Sequence, residues 1–308
     1  MKKIATLLAA LMLMTAAFSG CGDAGTSSSS AAGSESSAVS ESSAVSEESS
    51  AASESSASSE ASSAETAAGD YGEFTTIEEG KLIMSTNAQF PPYEMVADGE
   101  GFNGTGFEGI DVEIASAIAD KLGLELQIDD MEFDSALLAV QNNTADVMLA
   151  GLTYNEERDE VMDFTTSYAT GVQVVIVKED SDVTMDNLGE KMIGTQRGTT
   201  GYIYASDTPE NGGYGEDHVQ AYDSGATAVQ ALVNGQIDAV IIDQAPAEEF
   251  VAANEGLTTL PGNWVEEQYC AAVDEGNTAL QNAINTALNE LMDDGTVDEI
   301  IAKYISAE

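Results

Sequence analysis

From about Phe74 onward, short apolar runs alternate with stretches whose apolar residues return every three or four positions. That alternation is the pattern of an α/β protein. It predicts strands over "KLIMST" (81–86), "LELQID" (124–129), "ADVMLAG" (145–151), "VQVVIVK" (172–178), "KMIGTQ" (191–196), "DAVIID" (238–243) and "QYCAAV" (268–273). The clearest helix follows Asp111, read as its N-cap: Ile110, Ile114, Ile118 and Leu122 recur every fourth residue on one face, and Gly123 marks the C-terminal end. Further helices are predicted over 134–142, 224–235, 245–254, 277–292 and 295–304. Leu280, Ile284, Leu288 and Leu291 stand at helical spacing, as the core-facing stripe of an amphipathic helix does.

Upstream the pattern vanishes. Residues 22–70 are nearly all Ser, Ala, Glu and Gly, with local repeats such as "SSAVSESSAVSEESS" and no aromatic residue, Lys or Arg. So little apolar surface cannot offset the entropy of ordering, and the segment is expected to be a disordered tether. Ahead of it "MKK" and the apolar "IATLLAALMLMTAAF" form an export leader too short for a comfortable membrane span. The leader ends at "SGC", which resembles a bacterial lipobox with Phe18 where Leu is usual; the resemblance implies cleavage before Cys21 and lipid on that cysteine. The organisation expected is a signal peptide at 1–20, a lipid-anchored tether at 21–72 and a folded part from 73 to the end.

Charge narrows the partners. Nine basic residues against 55 acidic ones give a formal net charge of −46. Nucleic acid and electrostatic docking on anionic lipid both need clustered Lys and Arg, and are excluded. Cys21 and Cys270 are the two cysteines. With Cys21 acylated, Cys270 has no partner and is expected to be a buried, inert thiol. Asp129–Asp130 and Asp293–Asp294 are read as solvated turns without metal-loop spacing. No metal and no cofactor is expected, and His218, the single histidine, stands in the loop-like "GEDHVQAY".

Candidate chemistry collects at the ends of predicted strands. "AGLTYNEER" leaves a strand, turns through Gly151 and Thr153, and ends on Arg158, one of two arginines in the chain. Arg158 could clamp an anion over that turn or form a surface ion pair with the neighbouring glutamates. "GTQRGTTGY" (194–202) leaves another strand and, with Gly198, Thr199, Thr200 and Gly201, opens a helix; its amides could form an anion nest, and it lacks the ending of a P-loop. "DAVIID" places Asp243 at the carboxyl edge of a buried strand, where open α/β sheets collect ligands. An ammonium group would satisfy its charge, or it could cap the next helix. "TNAQFPPYE" delivers Phe90 and Tyr93, and "MEFDSA" delivers Phe133, as ligand walls or as core. A guanidinium, a carboxylate, backbone amides and aromatic walls are what a free amino acid requires.

"FPPYE", "GFEGIDVEIASAIADKLG", "ADVMLAGLTYNEERDEVMDFTTSY" and "GQIDAVIID", in this order, resemble the polar-amino-acid solute-binding proteins of bacterial ABC importers, solute-binding family 3. The resemblance runs from about Phe74 to the C-terminus. It implies a two-lobed periplasmic-binding-protein fold (type II), with two crossing hinge strands and ligand between the lobes: lobe 1 from 73–170 and 268–308, lobe 2 from 171–267. Carried over by position, Phe90 and Phe133 flank the ligand side chain, Gly151 and Thr153 meet the ligand backbone, Arg158 and Thr200 hold the carboxylate, and Asp243 takes the ammonium. Asn87 and Gln196 fall where relatives vary to choose a side chain. Cation-binding relatives often carry an acid in place of Asn87, and glutamine-binding ones can carry Lys in place of Gln196, so two neutral amides imply an uncharged, glutamine-like ligand. The partners implied are that amino acid, an ABC permease and the bilayer through acylated Cys21. The protein is expected as a monomer, on the outer face of a cell membrane or in a periplasm. Two other functions share the scaffold: a sensory binding protein, and a dehydratase-like enzyme, for which no nucleophile–base pair stands out.

Overall fold

The computed structural model describes residues 71–305. The leader, Cys21 and nearly all of the Ser/Ala/Glu-rich segment lie outside the described residues, as do 306–308. In chain order the described part begins β1 (Lys81–Thr86), β2 (Gln89–Phe90), β3 (Glu94–Val96), β4 (Phe107–Glu108), α1 (Ile110–Leu122), β5 (Glu125–Asp130), α2 (Phe133–Gln141) and β6 (Val147–Met148). It continues through α3 (Glu156–Asp159), β7 (Met162–Phe164), β8 (Ala169–Lys178), β9 (Ile193–Gln196), α4 (Thr200–Ser206), β10 (Val219–Tyr222), α5 (Gly225–Val233) and β11 (Ala239–Asp243). It closes with α6 (Gln244–Ala253), β12 (Leu257–Thr259), β13 (Val265–Tyr269), β14 (Ala272–Asp274), α7 (Thr278–Asp293) and α8 (Thr296–Tyr304).

Two mixed sheets carry the fold. The first has the order β5–β1–β6–β14–β7, with β1 parallel to β5 and β6 and β14 antiparallel to its neighbours. The second has the order β10–β9–β11–β8–β12, with β10, β9 and β11 parallel and β8 antiparallel to both of its neighbours. A small sheet β2–β3–β4 sits beside α1. Strand periodicity decides which side chains go where. On β1, Leu82 and Met84 pack with Ile110, Ile114 and Ile118 of α1 and with Leu280, Ile284 and Leu288 of α7, while Ile83 faces Ala136 and Val140 of α2. On β8, Val174 and Ile176 pack with Val229 and Leu232 of α5, and Val175 and Val177 pack with Leu188, Ile193 and Ala205. Each sheet is therefore covered on both faces, as the near-continuous apolar strands require.

The chain passes between the sheets twice, on adjacent strands. β8 follows β7 of the first sheet; β13 pairs antiparallel with β8 from Val265↔Gln173 to Tyr269↔Ala169 and then runs into β14 of the first sheet. Tyr269 is fully buried at this crossing. Gly171 is what lets its ring lie across β8, because a Cβ there would overlap the phenol ring. Buried neighbours and a bond to Asp243 fix the ring, so Gly171→Ala is expected to lower stability by about 1–3 kcal/mol through overpacking. Urea unfolding checks this, and an unchanged midpoint would contradict it.

Several sequence readings need correction. "QYCAAV" is not one strand: it divides at Cys270–Ala271, because Tyr269 belongs to the crossing pair and Ala272 to the first sheet. "ADVMLAG" keeps only Val147–Met148 as strand, since the chain turns at Gly151 with φ 51°. Asp129–Asp130 end β5 instead of forming a turn, and Asp130 accepts the amide of Ala88 at 2.8 Å. Asp111 is not the cap of α1. The helix starts at Ile110 after Gly109, and Asp111 turns inward from its first turn. Gly123 ends α1 in the left-handed conformation with φ 72°, as its position predicted. Cys270 is buried, and burial pushes its thiol up to about 11.

Candidate functional site

The carboxyl ends of β1, β6, β9 and β11 converge on one cavity. It is lined by Asn87, Phe90, Glu94, Phe133, Ala150, Gly151, Thr153, Arg158, Gln196, Thr199, Thr200 and Asp243. All nine candidate ligand residues read from the sequence therefore face one space.

Local chemistry explains how Arg158 gets there. Asn155 caps the short α3, its Oδ1 accepting the Arg158 amide at 2.8 Å. One turn of helix then leaves Glu156 and Glu157 in solvent and Arg158 only 6% exposed. The surface ion-pair reading is thereby excluded. The guanidinium folds back over the turn as expected, Nη1 donating to the Thr153 carbonyl at 2.6 Å. Nη2 donates to the Gly198 carbonyl at 3.0 Å, and the guanidinium carbon lies 5.6 Å from the centre of the Phe133 ring. A guanidinium has five N–H donors; these bonds occupy two. Burial lowers Arg158 to about 10, with Glu267 opposing the shift, so it stays cationic at neutral pH. Arg197, by contrast, is half-exposed and 3.6 Å from Asp223.

The turn before Arg158 needs glycine. With φ 51° at Gly151, an added Cβ would stand 2.7 Å from Cε1 of Phe90. Phe90 in turn stacks on Tyr93, with ring centres 5.7 Å apart. Tyr93 does not reach the cavity: it is buried behind Phe90 with its ring edge-on to Tyr269.

Across the cavity, Asn87 and Gln196 are joined, Gln196 Nε2 donating to Asn87 Oδ1 at 2.9 Å. Asn87 Nδ2 donates to the Met131 carbonyl at 2.8 Å. Thr199 caps α4, whose first residue is Thr200. Asp243, 8% exposed, accepts from the Tyr269 hydroxyl and from Gln173 Nε2, the latter at 2.9 Å. Burial and then the charge of Glu267 push Asp243 up to about 8. Gln173 Nε2 also donates to Glu267 Oε2 at 3.0 Å, and Thr153 Oγ1 donates to the same oxygen at 3.1 Å. One polar network thus links the Arg158 turn to Asp243.

Sequence reading missed Glu94, Gln173, Glu267 and the inward Asp111. Glu94 stands in the quoted "FPPYE" but is fully buried, and neither carboxylate oxygen has a hydrogen-bond donor. Burial, then Asp111 and Asp243, raise it well above the usual carboxylate range. Asp111, also raised by burial, to about 7, accepts from the Gly151 amide and the Tyr168 hydroxyl, each at 2.8 Å. These raised groups set the pH response of folding. Their unfolded values are about 4, so between about 4 and about 8 the folded chain binds more protons than the unfolded one, and stability falls as pH rises. The lowered carboxylates Asp182, Glu290 and Asp294 act below that window. The ligand-free protein is expected to resist urea better at about pH 5.5 than at about pH 8; a midpoint that climbs with pH would contradict this.

His218 is half-buried, its Nδ1 3.3 Å from the Lys191 carbonyl, and does not line the cavity. Among the described residues no cluster of His, Cys, Asp and Glu suits a metal ion, and no helix is long and apolar enough to cross a membrane.

Residues 82–307 match the family described as bacterial extracellular solute-binding proteins, family 3. The "Arginine-binding extracellular protein ArtP" of Bacillus subtilis is 31% identical over 249 residues, covering 80% of this chain and 94% of that protein. The solved arginine-bound form of truncated ArgBP from T. maritima is 37% identical with a TM-score of 0.61, over 69% of this chain and 96% of that one. An ancestral arginine-binding protein solved with glutamine is 33% identical with a TM-score of 0.66, over 75% of this chain and the whole of that one.

Proposed function

Because this chain belongs to family 3 of the bacterial extracellular solute-binding proteins, we propose that it captures a free polar amino acid outside the cytoplasm and delivers it to an ABC importer. The observation that carries this reading is one enclosed cavity into which a buried Arg158 and a buried Asp243 both face, supplied by segments of different sheets. A zwitterion matches that pair. The ligand carboxylate lies on the unused Arg158 donors and the start of α4 at Thr200; its ammonium lies on Asp243, with Thr153 beside it. Phe90 and Phe133 wall the side chain. The lobes are 73–170 with 268–308, and 171–267, and they close about the β8 and β13 crossing; hinge closure of this kind is the behaviour of periplasmic binding proteins in general. Closure excludes water and strengthens both charge-assisted contacts. No bond is made or broken. The closed form docks on the permease, and acylated Cys21 with its tether holds the protein at the membrane; labelling with a radioactive fatty acid, lost in Cys21→Ala, tests the anchor.

The cavity lining also bears on which amino acid enters. Arg158 and Asp243 are used by the ligand backbone, which leaves Glu94 as a buried carboxyl with no donor. A cationic side chain supplies one. We therefore favour arginine, lysine or ornithine over the glutamine-like ligand that Asn87 and Gln196 suggested, a choice supported by the arginine-binding relatives. The Asn87–Gln196 amide pair keeps glutamine as the second reading, since both amides match a side-chain amide. A thermal-shift screen of the twenty amino acids, ornithine and cystine tests both: a ligand at a hundred times its Kd adds about 2.7 kcal/mol of apparent stability. The largest shift is expected from a cationic amino acid. Stabilisation by glutamine alone would establish the second reading, and no response to any amino acid would overturn both.

A further inference from the structure

We propose that capture at this site is an exchange, in which the cationic side chain entering beside Glu94 expels a proton that Glu94 and Asp111 otherwise share. The inference rests on the cationic-ligand reading above and adds a partner residue and a proton to it.

Glu94 opens β3 and Asp111 lies in the first turn of α1; both are fully buried, and the Asp111 amide donates to the carbonyl of Tyr93, the residue before Glu94, at 2.9 Å, which sets the two carboxyl-bearing segments side by side. Two ionised carboxylates so placed, out of water, repel strongly, and such a pair holds one proton between them. The hydrogen bonds say where it sits. Asp111 accepts from the Gly151 amide and the Tyr168 hydroxyl, contacts that favour its charged form. Glu94 accepts from no donor, so the proton resides on Glu94 and points to Asp111. The ionisable groups facing Glu94 are Asp111 from α1, Asp243 from the end of β11, Asp130 from β5 and the neighbouring phenol Tyr93, with Tyr168 behind Asp111. All are acids or phenols. The cavity's one cation, Arg158, is engaged with Thr153 and Gly198.

A cationic side chain reaching Glu94 reverses the balance. It supplies the missing donor and the missing positive charge, and the carboxyl gives its proton to solvent. Asp111 keeps its two donors throughout and so continues to hold the Gly151 turn against the ligand backbone. Affinity for a cationic amino acid should then fall as the medium acidifies, because the proton competes with the ligand for Glu94.

Calorimetry with arginine in two buffers of different ionisation enthalpy counts the protons. Asp243 also loses a proton to solvent as it ionises against the ligand ammonium, whatever the side chain, so the quantity of interest is a difference. The wild-type protein is expected to release about one proton more than Glu94→Gln. Its Kd should weaken as pH falls, by up to about tenfold per pH unit, and more steeply than that of the variant. Equal proton counts would overturn the exchange. Where Glu94→Gln fails to fold, the wild-type protein with arginine is compared with the same protein and a neutral amino acid that binds it, glutamine or citrulline. The extra proton should then appear with arginine alone, and equal release overturns the proposal. Failure of every cationic amino acid to bind removes the ligand reading; arginine binding with a proton count indifferent to Glu94 removes only the exchange.

Discussion

Replacing Arg158 with alanine is expected to weaken amino-acid binding by about 2–4 kcal/mol, the cost of stranding a buried carboxylate without its charged partner. In affinity this is roughly 30- to 1,000-fold. The loss should be near its full size because no other cation lines the cavity. Folding should suffer less, since what Arg158 gives up in the protein itself is two bonds to carbonyls, those of Thr153 and Gly198. Arg197→Ala is the matched comparison: half-exposed and facing Asp223, it should leave affinity within a few tenths of a kcal/mol of wild type. Titration calorimetry on both variants decides it. Unchanged affinity in Arg158→Ala would remove the clamp.

The second large effect is expected at Asp243. Asp243→Ala removes the group that meets the ligand ammonium, and the penalty for the unpaired buried charge is again about 2–4 kcal/mol. Its consequence for folding runs the other way. The variant leaves the Tyr269 hydroxyl without its acceptor, but it also deletes a carboxyl that burial and Glu267 hold at about 8. The two terms oppose, so urea stability should change far less than affinity does. A variant that binds normally would show that the ammonium lies elsewhere.

What the sequence made legible was local. Phe90, Gln196 and Asp243 end strands, Phe133 and Thr200 open helices, Asn87, Gly151 and Thr153 lie in the turns after strands, and Arg158 sits in the one-turn α3 beyond them; short motifs fix such positions without knowledge of the rest of the chain. Asn155 two residues after Thr153 and three before Arg158 even encodes the turn that aims the guanidinium inward. What escaped depends on contacts between segments far apart in sequence. Glu94 reads as an ordinary polar residue after "FPPY"; only the packing of α1 against β3 buries it. Asp111 looked like a cap because its position in the periodicity is that of one, whereas its acceptors are claimed by Gly151 and Tyr168, 40 and 57 residues away. In "VEEQY" the two glutamates are indistinguishable, yet the strand turns Glu266 to solvent and Glu267 to Thr153 and Gln173. The division of "QYCAAV" has the same origin, since no apolar pattern announces that a chain is leaving one sheet for another. The ligand preference inferred from Asn87 and Gln196 alone lacked Glu94 for that reason.

A crystal structure of the protein grown with the amino acid that stabilises it most decides where the zwitterion sits. Ligand is expected in the cavity between the two sheets, its carboxylate on Arg158 and Thr200 and its ammonium on Asp243. A ligand bound outside that cavity, or bound within it with Arg158 and Asp243 both left without contact to it, would overturn the assignment of the site.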